Sequence, residues 1–466
     1  TTTGTDSDTC ATCDTLSANC GQQPSGCNTV LECGACVTGE TCGAAGPNLC
    51  GVGTCTPATC ESLGACGPTS DNCGTLLDCG PCDGTGTGGD GNLGTGGTTN
   101  TTGGATGTGG APPEVVDPTT VLPRSGLVNG TTPSSVSAAD ALAAYNQFKG
   151  AHIKTCGSQM YVPNADQGND TVSEGIAYGM LLAVSHGDKA TFDALHSYYQ
   201  QHLNVNGLMA WRVKDCGANV DETAAIDGDL DAAMAYIMAH CKWGETYGPF
   251  ALKTLDAISQ HGIIRSGGVY YVKPGDNWGG TSHFNPSYFS PADLRAFALY
   301  QPSNAERWNG AAESTYTVLN TGRNATTSFV PDWMTSTGAC VSGSSCNYAW
   351  EAVRYPWRVA TDYFWWGTPA AQTLLTPFST WAKSQSAAGV GDEYSLSGGS
   401  LANYGKGAVV ASLAIGTMAV DSAGSAGLFT ELKNRSSNAA DWYYSNALRA
   451  LYLTTAAGLF NACPNP

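Results

Sequence analysis

The chain has 466 residues, and 20 Lys+Arg against 38 Asp+Glu give a formal charge of −18. That balance excludes a general nucleic-acid binder, because phosphate recognition rests on Lys/Arg neutralisation and counterion release. Only 12% of residues are charged while 42% are apolar and 60 are glycine, so a large core must coexist with very uneven composition.

Residues Thr1 to Asp8 are small and polar, and a secretory leader, had one existed, is expected to have been removed. No apolar run reaches the roughly 18 residues of a membrane-spanning helix, so no membrane partner is expected. Twenty cysteines exceed what a reducing compartment normally tolerates. The protein is therefore read as secreted, with the cysteines in disulfides.

Fourteen cysteines precede residue 83, and their spacing repeats. Cys13, Cys20, Cys27, Cys33 and Cys36 are separated by six, six, five and two residues; Cys60, Cys66, Cys73, Cys79 and Cys82 by five, six, five and two. The phrases Asn19-Cys20-Gly21 and Asn72-Cys73-Gly74 recur with them. This duplication divides the region into modules over 1–54 and 55–82, in which cross-links must replace an apolar core. Cys33-x-x-Cys36 and Cys79-x-x-Cys82 also have the spacing of a zinc knuckle, but each module holds too many cysteines for one tetrahedral site. From 83 to 118 the chain is Gly and Thr with scattered Asn, the composition of a flexible linker.

Beyond it, over 119–466, apolar residues recur at helical spacing. The periodic segments run from Ala138 to Phe148, Glu174 to Ser185, Ala190 to Leu203, Asp229 to Cys241, Gly248 to Gln260 and Pro291 to Tyr300, then Ala305 to Leu319, Ala349 to Trp365, Pro369 to Ser386, Tyr404 to Val420, Ser425 to Lys433 and Asp441 to Leu459. Twelve helices with long aromatic loops predict an all-α toroid whose loops line one end. A hairpin is expected around Gly267 to Val272. The six remaining cysteines suit three disulfides, with Cys340 and Cys346 the preferred pair.

Three constellations carry chemistry. In Thr171-Val172-Ser173-Glu174-Gly175, Ser173 reads as a helix N-cap and Glu174 as a first-turn acid, whose partial burial would raise its pKa and suit proton donation. The run Asp227-Gly228-Asp229-Leu230-Asp231 looks first like a calcium loop, yet Ala232 and Met238 stand where the sixth-position Gly and twelfth-position Glu would be required. In Tyr348-Ala349-Trp350-Glu351-Ala352-Val353-Arg354, Glu351 and Arg354 share a helix face. A surface ion pair would be the ordinary reading of that spacing, but the density of Trp and Tyr points to core or to a sugar-stacking platform. Trp211, Trp278 and Trp442-Tyr443-Tyr444 add to the same supply.

Ser173-Glu174-Gly175 with Tyr178-Gly179-Met180, Ala225-Ile226-Asp227-Gly228-Asp229, Asn285-Pro286-Ser287-Tyr288-Phe289-Ser290-Pro291 and Arg354-x-Pro356-Trp357-Arg358 together resemble glycoside hydrolase family 8 over residues 125 to 462. The resemblance implies an (α/α)6 barrel and an inverting endo-β-1,4-hydrolase. It maps the acid onto Glu174, a sugar-distorting role onto Asp227 and the general base onto Glu351, which stands where the family's best-known members have Asp. Asp276 and Asp332 are the alternative bases.

Arg354 would orient Glu351, while Trp211, Trp278, Tyr288 and Tyr444 would stack sugars and Asp276 would contact substrate. No metal or cofactor is required, a monomer is expected, and the partner is a β-1,4-linked polysaccharide. Cellulosic or mixed-linkage β-glucan is the first choice, chitosan the second and xylan the third. Chitosan would need acidic subsites, for which Glu351, Asp276, Asp332 and Asp392 with Glu393 are the candidates if they line the cleft. A non-catalytic carbohydrate-binding scaffold is the reading from another class.

Overall fold

The computed structural model describes residue 13 and residues 19–24, 30–44, 48–55, 57, 68–71, 73–78, 116–435 and 443–466. Cys27, Cys60, Cys66, Cys79, Cys82, Trp442 and most of the Gly/Thr linker lie outside the described residues. Two compact units divide the chain, one within 1–107 and one within 108–466.

In the first unit, short antiparallel pairs join Gln22–Pro24 to Val30–Glu32, Thr41–Cys42 to Cys50–Gly51, and Pro68–Ser70 to Leu76–Asp78. Cys13–Cys33, Cys20–Cys42, Cys36–Cys50 and Cys55–Cys73 cross-link them. Cys33 and Cys36 are thus in disulfides, which removes the thiolates a zinc knuckle would need. The two repeated Asn-Cys-Gly turns meet: a Cβ on Gly21 would stand 2.1 Å from the Cα of Gly74, and the Gln22 amide donates to the Gly74 carbonyl at 3.0 Å. Ser70 Oγ donates to Asn48 Oδ1 at 2.7 Å in a buried contact across the two repeats.

The second unit is an (α/α)6 barrel. Besides a one-turn helix over Pro118–Val121, its helices are α1 (Ala138–His152), α2 (Ser173–Ser185), α3 (Lys189–Gln201), α4 (Ile226–Trp243), α5 (Gly248–Ala257), α6 (Pro291–Tyr300), α7 (Ala305–Gly322), α8 (Tyr355–Trp366), α9 (Pro369–Ser384), α10 (Ala408–Met418), α11 (Ala426–Asn434) and α12 (Tyr443–Ala456). The even-numbered helices form the inner ring, which closes where α12 packs on α2. Their sequences explain the placement: every residue of α10, AVVASLAIGTM, is buried, whereas α3, KATFDALHSYYQQ, buries only Thr191, Phe192, Leu195, Tyr198 and Tyr199. A helix apolar all round belongs inside, and one with a single apolar stripe belongs outside.

Several boundaries differ from the periodic pattern for local reasons. Val172, not Ser173, is the cap of α2, because the chain enters directly from the strand Asp170–Val172 and Ser173 already has helical geometry. The stretch before α8 is a 3-10 turn, Ala352–Arg354, since Pro356 lacks an N–H and stands in the first turn of the helix proper. Tyr404 to Gly407 are a loop before α10, with Gly405 at φ +72°. The expected hairpin pairs Ile263–Ser266 with Val269–Val272 around Gly267-Gly268. Cys156–Cys216, Cys241–Cys463 and Cys340–Cys346 are bridged in this unit. Among the described residues no helix is long and apolar enough to cross a membrane.

Candidate active site

The first residues of α2, α4 and α12, and the segments just before α6, α8 and α10, line one cleft of about 460 Å³. Helices α2 and α4 begin side by side because residue 228 is glycine: a Cβ there would stand 2.7 Å from Ser173 Oγ. That close approach sets Glu174 beside Asp227. A four-stranded antiparallel sheet frames the same edge, with Val172 of the strand leading into α2 opposite Arg212. The register carries Trp211 into the cleft wall.

Arg354 is the hub. Its Nη1 contacts Asp227 Oδ2 at 2.6 Å, Glu174 Oε2 at 2.7 Å and the Tyr178 hydroxyl at 3.0 Å, and its Nη2 contacts Glu351 Oε2 at 2.8 Å. The ion pair at i, i+3 is therefore not a surface pair: the Arg354 side chain is 3% exposed, against 18% for Glu174 and 34% for Glu351. A buried guanidinium has room for bidentate, charge-assisted bonds that compensate its desolvation. Its plane also lies 5.6 Å from the Tyr288 ring and 5.7 Å from the Tyr444 ring.

Three carboxylates around one cation cannot all ionise freely in a partly desolvated site. Burial pushes the Glu174 carboxyl up to about 7, with the negative Asp227 and Glu351 adding to the rise and Arg354 opposing it. Asp227 is also raised by burial, against the pull of Arg354. Tyr443 donates to Glu174 Oε1 at 3.1 Å. Glu351 receives a second donor on the same oxygen as Arg354, the Asn285 amide at 2.7 Å. Asn285 cannot turn round, because its Oδ1 accepts from the Ser287 amide at 3.0 Å and the Ser287 hydroxyl at 2.5 Å. Both donors fall on Glu351 Oε2, which among the described residues leaves Oε1 as the oxygen without a protein donor.

The three alternating acids of α4 have separate fates. Asp227 joins Arg354, while Asp229 accepts from the Tyr199 hydroxyl at 2.5 Å and the Met209 amide at 2.9 Å. Burial pushes Asp229 up to about 8. Asp231 pairs bidentately with Arg358. With side chains on three different partners, the run does not converge as a calcium loop would.

Of the stacking candidates, Trp211, Tyr288 and Tyr444 line the cleft with Trp350. Two expected substrate contacts stand elsewhere. Asp276 is buried and accepts from Asn204 Nδ2 at 2.8 Å, Asn206 Nδ2 at 2.9 Å and the Ala224 amide at 3.0 Å. It ties loops behind the site instead of lining it, since a carboxylate with three donors and no solvent is already satisfied. Trp278 is 38% exposed, packs at 6.0 Å, tilted, on Trp333 and is not among the residues lining the Glu174 cleft.

Asp332, the other alternative base, is also occupied: its Oδ1 accepts from the amides of Ala349, Glu351 and Ala352 at 3.1, 3.1 and 2.9 Å. It caps the turn that presents Glu351. Asp392 likewise holds loop amides, and Glu393 accepts from Asn347. Sequence reasoning missed Asn285, Tyr443 and Lys406 as site residues. The first two were quoted within motifs or aromatic runs, and only their contacts reveal them.

Residues 123–458 match the sequence profile of glycosyl hydrolases family 8. Endoglucanase 2 of Ruminiclostridium josui is 36% identical over 326 residues, 68% of this chain and 70% of that protein. The solved β-1,3-1,4-glucanase of Paenibacillus sp. X4 superposes with a TM-score of 0.63 at 26% identity, over 70% of this chain and 96% of that one. Rex8A of Paenibacillus barcinonensis, solved with xylose, shares the fold with a TM-score of 0.60 at 20% identity, over 71% and 97% of the two chains. With its barrel and its motifs, the chain belongs to glycoside hydrolase family 8 and is an inverting glycoside hydrolase.

Proposed function

We propose that the chain is a secreted endo-β-1,4-glucanase in which Glu174 is the general acid, Glu351 the general base and Asp227 the group that binds and distorts the sugar at the cleavage point. The observation that carries this reading is the single buried guanidinium of Arg354 shared by three carboxylates. Such sharing separates the proton affinities of the three, and separated affinities are how one site supplies both an acid and a base. Glu174, held up at about 7, keeps a proton near neutrality.

In the step itself the Glu174 proton goes to the glycosidic oxygen as the bond from that oxygen to the anomeric carbon breaks. A water attacks the anomeric carbon from the opposite face and gives its proton to Glu351 Oε1. Because one guanidinium reaches both carboxylates, their bonded oxygens lie at most about 8 Å apart, compatible with the roughly 6.5–9.5 Å that admits a water in inverting enzymes. The longer Glu in place of Asp is accommodated by the anchored turn: Asp332 holds its backbone and Asn285 its carboxylate.

Glucan is favoured over chitosan because, of the candidate subsite acids, only Glu351 lines the cleft, while Asp276, Asp332, Asp392 and Glu393 are engaged in loop bonds. The endoglucanase and β-glucanase relatives support the same choice. Secretion is supported by the disulfides in both units.

The test is reducing-sugar release from barley β-glucan, carboxymethylcellulose, chitosan and xylan by the whole protein, Glu174→Gln and Glu351→Gln. Cleavage of glucan lost in both variants is expected. Activity retained in Glu351→Gln would remove Glu351 as base, and no cleavage at all would leave a carbohydrate-binding scaffold.

A further inference from the structure

Asp229 is a buried acid that the reaction does not use, and its contacts lead back to the cleft. It stands in the first turn of α4, two residues beyond Asp227, and is fully enclosed. Its Oδ1 accepts from the Met209 amide at 2.9 Å and the Tyr199 hydroxyl at 2.5 Å, while Oδ2 is buried with no hydrogen-bond partner among the described residues. Met209 ends the loop after α3 and directly precedes the strand Ala210–Val213, from which Trp211 reaches the cleft wall. One carboxyl oxygen therefore joins the turn that presents Asp227 to the strand that presents Trp211.

The rest of the loop is held to the same segment. Leu203 and Met209 pair as an isolated bridge, and the Ala210 amide donates to the His202 carbonyl at 2.9 Å. Asp276 takes Asn204 and Asn206 on Oδ2 and, on Oδ1, the amide of Ala224, three residues before Asp227. The Trp211 side chain is bonded to Asp221 on the neighbouring strand, so the ring moves with its sheet. Burial pushes the Asp229 carboxyl up to about 8 against the pull of its two donors. Below that pH the proton resides on Oδ2, because Oδ1 already accepts twice. Replacing Asp229 then removes an acceptor and leaves the charge around Arg354 as it was.

We propose that Asp229 is a positioning residue for glycan binding: by holding the Met209 amide it fixes the Trp211 ring relative to Asp227, so that a sugar stacked on the ring meets Asp227. The inference rests on the glycan-cleft reading above and adds the group that sets the geometry of its stacking wall. Stacking on an aromatic ring supports affinity by about three- to tenfold, and a ring whose strand has lost its anchor forfeits that gain.

The experiment measures binding of cello-oligosaccharides by titration calorimetry to the full chain carrying Glu174→Gln, alone and with Asp229→Leu, Trp211→Ala or both. Asp229→Leu is expected to weaken binding about three- to tenfold, Trp211→Ala at least as much, and the pair no more than Trp211→Ala alone. Asp229→Asn keeps the accepting oxygen and should bind within about twofold of its parent. Because the Leu variant leaves the Tyr199 hydroxyl buried without an acceptor, it is also made with Tyr199→Phe, where the same loss of affinity is expected. Tyr199→Phe alone should lower the melting temperature and leave affinity in place, which separates a fold-only role from a positioning one. Unchanged affinity in folded Asp229→Leu, losses that multiply in the pair with Trp211→Ala, or an Asp229→Asn protein as weak as Asp229→Leu overturns the proposal. Failure of the wild-type protein to cleave β-glucan overturns the functional reading instead, and that assay does not involve Asp229 variants.

Discussion

Arg354 and Arg358 stand one turn apart on the same inner-ring segment, and the acids facing them, Asp227 and Asp231, are one turn apart on α4. The two pairs are rungs of one ladder, but their surroundings differ. The lower rung is sealed: Arg358 and Asp231 side chains are 2% and 1% exposed, Asp293 approaches at 3.7 Å, and the guanidinium lies 4.6 Å from the Trp357 ring. The upper rung opens onto the cleft and gathers two more carboxylates, Glu174 and Glu351, that remain within reach of solvent. A guanidinium matched by one bidentate acid is a structural pair, whereas one shared among three leaves proton affinity unsettled and available for chemistry. Asp293 qualifies the contrast, since burial lifts it to about 7 without any access to substrate. A perturbed carboxyl becomes a working group only where a ligand can reach it.

This contrast can be broken most forcefully at the upper rung. Glu174→Gln is expected to lower kcat by about 10³-fold on an unactivated glucan, with the melting temperature nearly unchanged; a turnover within tenfold of wild type would show that the upper rung is structural too. At the lower rung the expectation reverses. Asp231→Ala strands a buried guanidinium and should cost about 3–5 kcal/mol of stability by urea unfolding, while the Arg358→Met, Asp231→Leu double variant should recover most of it. A double variant as unstable as the single one would contradict a purely structural pair.

Asn285→Asp sharpens the distinction within the upper rung. Its carboxylate can still accept from Ser287 and cap the turn, but it removes a donor from Glu351 and adds a like charge. A fall in kcat of about tenfold or more is expected. Turnover within twofold of wild type would mean that Asn285 matters only for the loop.

The smallest effect concerns the alkaline limb. Glu174 must be protonated to act, so activity should decline as pH rises through about 7. Tyr443 donates to the ionised form and so opposes protonation. Tyr443→Phe should therefore move the alkaline limb upward by less than one unit, readable from the pH dependence of kcat.

Much of this was visible before any coordinates. The apolar period located the twelve helices of the barrel, though not the one-turn helix Pro118–Val121, because the inner ones are buried all round and the outer ones carry one stripe. Glu174, Asp227, Glu351 and Arg354 stood out from local motifs, and Cys340 with Cys346 from their short spacing. Asp276 and Trp278 could not be placed from the sequence for one reason: an acid or an aromatic in a loop carries no local mark of whether it turns toward a cleft or ties two loops together.

The order of helices and the identity of the charged groups are properties of the sequence itself, since periodicity and residue chemistry are local. That Asp227 and Glu351, 124 positions apart in the numbering, meet on one guanidinium, that Asn285 holds one oxygen of Glu351, and that Lys406 comes to lie against Trp350 was decided by the tertiary structure alone. Proton affinity depends on burial and on the net charge of the neighbourhood, and a neighbourhood exists only once the ring of helices has closed.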